Sequence, residues 1–142
     1  MAYPDGYGQY RQVQIGTASP GRLILMLYQG AIKAMKKAIE LIDRKDFFGK
    51  GECLIKAQDI VMELNLALDM DVGGEIATSL RKLYLYVYRR LVDANLELDK
   101  QAIQECIRLM EGLYEAWKVA VQKAEGGAPG GDRASTRLSL TG

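Results

Sequence analysis

Apolar side chains recur at three- and four-residue steps through four long segments of this chain. That is the period of a helix with one face turned from water. The first segment runs from about Pro20 to Asp43, with a seam of Ile24, Tyr28, Ala31, Met35, Ala38 and Ile42 and a second row at Leu25, Ile32 and Ile39. The second runs from about Phe47 to Leu68 through Leu54, Ala57, Val61, Leu64 and Leu68, with Cys53, Ile60 and Ala67 beside them. The third runs from about Gly74 to Leu98 through Ile76, Leu80, Leu83, Val87, Ala94 and Leu98, with Leu91 next to the gap. The fourth starts near Asp99 or Lys100 and ends near Glu125, through Ile103, Cys106, Met110, Leu113, Trp117, Ala120 and Ala124. Connections this short make consecutive helices antiparallel neighbours. The pattern therefore predicts an all-α fold, an antiparallel up-and-down four-helix bundle, over residues 17–125.

The ends lack the pattern. Residues 1–16 carry Pro4, Gly6, Gly8 and Gly16, together with Tyr3, Tyr7 and Tyr10, and read as a flexible head. Residues 126–142, GGAPGGDRASTRLSLTG, are rich in Gly, Ser and Thr and read as a disordered tail. Tyrosine is depleted in disordered segments, so three in the head point to contact, either folded back over a groove or docked on a partner.

One stretch is richer in apolar residues than a bundle helix needs. In 16-GTASPGRLILMLYQGAIKAM-35, Thr17 and Ser19 suit the cap and Pro20 the first turn, and then 23-LILMLY-28 is apolar or aromatic throughout. A helix hiding one face needs about three apolar residues in seven. Either this helix is central and covered by its neighbours, or part of its surface is a docking face.

Composition narrows the chemistry. With 142 residues the chain is long enough for one domain with a real core. Lys+Arg 19 against Asp+Glu 18 gives a net charge of +1, which argues against a polyanionic partner. No apolar run approaches the roughly 20 residues that span a bilayer, and MAYPDGYGQYRQ has no signal layout. No histidine is present, which excludes Ser-His-Asp and Cys-His nucleophile systems and Glu-x-x-His di-iron sites. The glycines lack phosphate-loop spacing. Cys53 and Cys106 each fall inside a helical pattern and read as small buried hydrophobes. No enzyme activity, catalytic residue, metal or cofactor is expected. The run 81-RKLYLYVYRR-90 mixes basic and aromatic residues like a nucleic-acid surface, but Leu83 and Val87 belong to the core seam and Tyr84 and Tyr88 share a flank that also fits a peptide groove. Arg89-Arg90 opposite Glu63 or Asp59 reads as an interhelical salt bridge.

Five segments carry a family resemblance: 7-YGQY-10, 17-TASPGRLILMLYQGAIK-33, 55-IKAQDIVMELNLALD-69, 73-GGEIATSLRKLYLYVYRRLVDAN-95 and 116-AW-117. In this order they resemble the flagellin-specific export chaperone family, FliS. The resemblance implies a helical bundle that binds the disordered C-terminal segment of flagellin in the cytoplasm, blocks premature polymerisation and hands the client to the type III export gate, without nucleic acid or membrane insertion. It implies that Tyr7 and Tyr10 cap a groove or dock to the gate. The partner-binding residues expected are Tyr7, Tyr10, Leu23, Leu27, Tyr28, Ile60, Leu64, Leu68, Tyr84, Tyr88 and Leu91. The alternative is a non-enzymatic four-helix adaptor that binds RNA or another export protein through residues 81–90.

Overall fold

The computed structural model describes residues 19–126. The head, with Tyr3, Tyr7 and Tyr10, and the tail from residue 127 lie outside them. Four helices follow one another: α1 Pro20–Asp43, α2 Phe47–Leu66, α3 Met70–Glu97 and α4 Lys100–Gly126. Among the described residues there are no strands. α1 packs against α2 and α4, and α3 packs against the same two, which closes a four-helix ring of antiparallel neighbours.

The helix ends follow from local chemistry. Ser19 caps α1, its hydroxyl accepting from the Arg22 N–H at 3.2 Å, and Pro20 fills the first helical position. Asp46 caps α2 by accepting from the Gly49 N–H at 3.0 Å. Two boundaries differ from the sequence reading. α2 stops at Leu66 rather than Leu68, and α3 begins at Met70 rather than Gly74. Asp69 is the reason for the second difference, since its carboxylate accepts from the Asp71 and Val72 N–H groups at 3.1 Å and starts a turn early. That turn and the main helix meet at Gly74, whose φ of 55° and ψ of −130° only glycine adopts without strain.

The core takes one seam from each helix, and in α3 the seam is not the one the sequence suggests. Leu80, Tyr84, Val87, Leu91 and Ala94 are buried, whereas Leu83 is only half-buried and Ile76 and Leu98, at the two ends, are exposed. Both Leu83 and Tyr84 stand at helical spacing from Leu80. Tyr84 wins because its hydroxyl finds a partner inside the bundle: the Tyr28 and Tyr84 hydroxyls are 2.5 Å apart, and the Trp117 indole N–H donates to the Tyr28 oxygen at 3.0 Å. The rings of Tyr28 and Tyr84 pack tilted, with centroids 6.4 Å apart. This trio joins α1, α3 and α4 through the middle of the core.

α1 contributes most to the core, with ten buried residues, more than any other helix. On its α2 side the approach is close: a methyl on Gly30 would stand 3.3 Å from the Ile60 Cδ1. On its α4 side a polar ladder crosses the seam, with Arg22–Glu125 at 3.4 Å, Gln29–Tyr114 at 2.9 Å, Lys36–Glu111 at 3.0 Å and Asp43–Lys100 at 2.6 Å. The α1 members stand seven residues apart, so each rung falls on the same face. At the opposite corner the buried Lys50 of α2 donates to the Asn95 carbonyl at 2.9 Å and to its side-chain oxygen at 2.6 Å, which fixes the start of α2 to the end of α3.

Candidate functional site

The large exposed hydrophobic side chains are not on α1, whose Leu25, Met26 and Ile32 line cavities of the α1–α4 seam. Large exposed hydrophobic side chains sit on α2, α3, the α3–α4 corner and one position of α4. On α2 they form a line: Phe48 is 79% exposed, Ile55 52% and Leu66 73%, with Met62 half-buried between the last two. Spacings of seven, seven and four residues put these side chains on one helical face. The core side of the same helix is Leu54, Ala57, Val61 and Leu64. The line therefore points directly away from the bundle, where an unpartnered apolar stripe on a soluble helix marks an interaction surface.

Two carboxylates interrupt the stripe. Glu52 is exposed, and Asp59 stands between Ile55 and Met62, where desolvation raises its pKa. Beside the stripe runs a row of α3, Leu85, Tyr88 and Val92, all half-buried, ending at the Asn95 that Lys50 holds against α2. Between the two elements Asn65 has a buried side-chain oxygen with no hydrogen-bond partner among the described residues. The arrangement is a shallow apolar face, about as long as α2, flanked by Glu52, Lys56 and Asp59. It suits an amphipathic helix laid along it better than a small ligand.

The residues expected from sequence distribute in three ways. Tyr7 and Tyr10 lie outside the described residues. Leu27, Tyr28, Ile60, Leu64, Tyr84 and Leu91 are core residues, each less than a tenth exposed. Leu23, Leu68 and Tyr88 are half-buried, and of these Tyr88 borders the α2–α3 face. Phe48, Ile55, Met62 and Leu66 are absent from the expected set, although they stand out as the apolar α2 residues that do not fit its core seam.

The remaining titratable groups fit structural roles. Burial pushes the Cys106 thiol up to about 12, and Cys53, half-buried, is raised by the same cause. Thiols held protonated in this way are poor nucleophiles. Arg90 pairs with Glu105 of α4 at 2.9 Å, not with Glu63 or Asp59 across α2, because its position on α3 turns it towards α4. Among the described residues no group of His, Cys, Asp and Glu could hold a metal, and no helix is long and apolar enough to cross a membrane.

Comparison with known proteins gives the family. A family model described as "Flagellar protein FliS" matches residues 3–124. The chain is 40% identical over 122 residues to the flagellar secretion chaperone FliS of Bacillus subtilis, covering 86% of this chain and 90% of that one. It is 44% identical over 129 residues to the protein of the same name from Salmonella typhimurium, covering 87% and 96%. It is 36% identical over 113 residues to the flagellar secretion chaperone FliSB of Pseudomonas aeruginosa, covering 77% and 90%.

Proposed function

The chain belongs to the FliS family of flagellar secretion chaperones, and from that premise we propose that it is a cytoplasmic, non-enzymatic chaperone for the C-terminal segment of flagellin. It holds that segment before assembly, prevents premature polymerisation and delivers it to the flagellar export apparatus. The observation that carries this reading is the outward apolar stripe Phe48, Ile55, Met62 and Leu66 on α2.

The energetics favour a long, shallow seat. A disordered client that folds on binding spends about 2–5 kcal/mol or more on ordering, so it needs extended apolar contact to bind at all. A stripe running most of the length of α2 supplies that contact, and its shallowness keeps the client releasable. Of the flanking charges, Glu52 and Asp59 favour a client helix with basic residues at its edges. The α1–α4 seam also carries cavities, of about 260 Å³ and 630 Å³, lined by Leu25, Met26 and Ile32 with the polar ladder across them, and the longer stripe on α2 favours the α2–α3 side. Tyr7 and Tyr10, in the head, either cap this apolar surface or contact the export gate.

Titration calorimetry with a synthetic peptide of the flagellin C-terminal segment tests the reading. Binding with a negative heat-capacity change and gain of helix by circular dichroism is expected. No heat and no shift on gel filtration would end it.

A further inference from the structure

The face formed by α3 and α4 on the other side of the molecule has the opposite chemistry. Lys82, Tyr86, Arg89 and Arg90 stand at positions i, i+4, i+7 and i+8 of α3, which makes them one surface. α4 adds Arg108 and Glu105. Glu105 organises the cluster: one carboxylate oxygen accepts from the Tyr86 hydroxyl at 2.6 Å and the other from Arg90 Nε at 2.9 Å. Its own pKa is lowered by the Tyr86 hydrogen bond and by the two arginines, Arg90 and Arg108. Among the described residues Arg90 is engaged through Nε, which leaves its Nη groups for another acceptor. Lys82 and Arg89 are exposed. Arg90 and Arg108 act on the Glu105 carboxylate, and Lys82 and Arg89 add two exposed cations on the same α3 face, in a chain whose net charge is only +1. Acids lie on the outward face of α2 and around Asp69 and Asp71, and on the same α3 face Asp93 stands one turn beyond Arg89 and Glu97 one turn further.

We propose that this basic face docks an acidic segment of a second protein while the client occupies α2. The site needs no rearrangement, because the guanidinium of Arg90 is already fixed by Glu105, and a fixed fork loses little entropy on meeting a carboxylate. A peptide suits it better than a nucleic acid. A polynucleotide places a phosphate at every step and would run over Glu105, Asp93 and Glu97, whereas an acidic peptide can meet single cations and avoid them. Stacking platforms are scarce as well: Tyr84 is in the core, Tyr88 faces α2, and the Tyr86 hydroxyl is tied to Glu105. Because the basic face and the α2 stripe do not share residues, the chaperone can be held by one partner and still carry another.

The test uses the full chain and a fluorescein-labelled oligoglutamate peptide, followed by anisotropy at low and moderate salt. The proposal expects binding that weakens as salt rises, and a loss of at least about tenfold in Lys82→Glu/Arg89→Glu. It expects little loss in Lys33→Glu/Lys123→Glu, which changes net charge equally at exposed positions elsewhere. It also expects Lys82→Glu/Arg89→Glu to bind the flagellin peptide as the unaltered chain does, so that failure here is separable from failure of the chaperone reading. Three results would overturn it: no binding at low salt, equal loss in both double variants, or tighter binding of a single-stranded RNA of the same charge.

Discussion

Tyr28 does more at the level of single residues than any other side chain in the core. Its oxygen accepts from Trp117 and is also within bonding distance of Tyr84. Replacing it with Phe leaves a buried indole N–H and a buried hydroxyl without their partner, at about 1–3 kcal/mol for such an orphaned group. Tyr84→Phe keeps the Trp117–Tyr28 bond and should cost less. Urea unfolding of the two variants should therefore rank Tyr28→Phe as the less stable. Burial also raises both hydroxyl pKa values above the ordinary 10.0, that of Tyr84 to about 12 and that of Tyr28 higher still. The protonated forms are favoured in the fold, so this contribution is complete below the unfolded value and is lost as pH rises through the raised ones. Two carboxylates give opposite signs at the acid end. The pKa of Glu105 is held below its ordinary 4.5, so its contribution is present above that value and lost as pH falls through the lowered one. The pKa of Asp59 is raised above 3.8 by desolvation, so its contribution is lost as pH rises through the raised value. At neutral pH, Glu105→Gln should lower the melting temperature and Asp59→Asn should raise it. In strong acid, where wild-type side chains are protonated too, both differences should close.

Helices α1 and α2 show at the element scale what the sequence reveals and what it hides. The four helices, their order and most of their ends are legible from periodicity and caps. The excess of apolar residues in α1 is also legible, but its meaning depends on how many neighbours cover it. α1 buries its seam in the core, while its second row is half-covered: Leu25 and Ile39 are half-buried, and Leu25 and Ile32 line cavities on the α4 side. In α2 the informative feature is phase: Phe48, Ile55 and Met62 repeat every seven residues, and so do Leu54, Val61 and Leu68, one residue out of step. The first line faces outward and the second faces the core. Counting apolar residues favours α1 as the docking element, whereas comparing the two phases points to α2. Tyr84 reads from sequence as a flank residue, since Leu83 and Tyr84 both stand at helical spacing from Leu80; in the bundle Tyr84 is buried with its hydroxyl against that of Tyr28. Phe48→Asp with Leu66→Asp should leave the bundle folded, because both side chains are exposed, and should weaken flagellin-peptide binding about tenfold or more. A further consequence of local structure concerns the corner after α3. Leu98 caps that helix in the left-handed conformation, at φ 56°, where glycine is the usual residue. Leu98→Gly should stabilise the free protein by about 0.5–1 kcal/mol, read by thermal or urea unfolding.

The whole molecule is a ring of four helices with chemically distinct sides. The α1–α4 seam carries a polar ladder beside cavities lined by Leu25, Met26 and Ile32, α2 turns an apolar stripe outward, and the α3–α4 face carries Lys82, Arg89, Arg90 and Arg108. The family gives the chain its place among flagellar secretion chaperones, and the proposed seat of the client is α2 rather than the α1–α4 seam. A photo-crosslinking residue placed at position 55 tests this against one placed at position 122, which lines the α1–α4 seam. Both positions are exposed in the free protein, so a difference between them reports on the client and not on accessibility. With flagellin bound, an efficient crosslink is expected from position 55 and little from position 122. A crosslink from position 122 with none from position 55 would contradict the α2 placement.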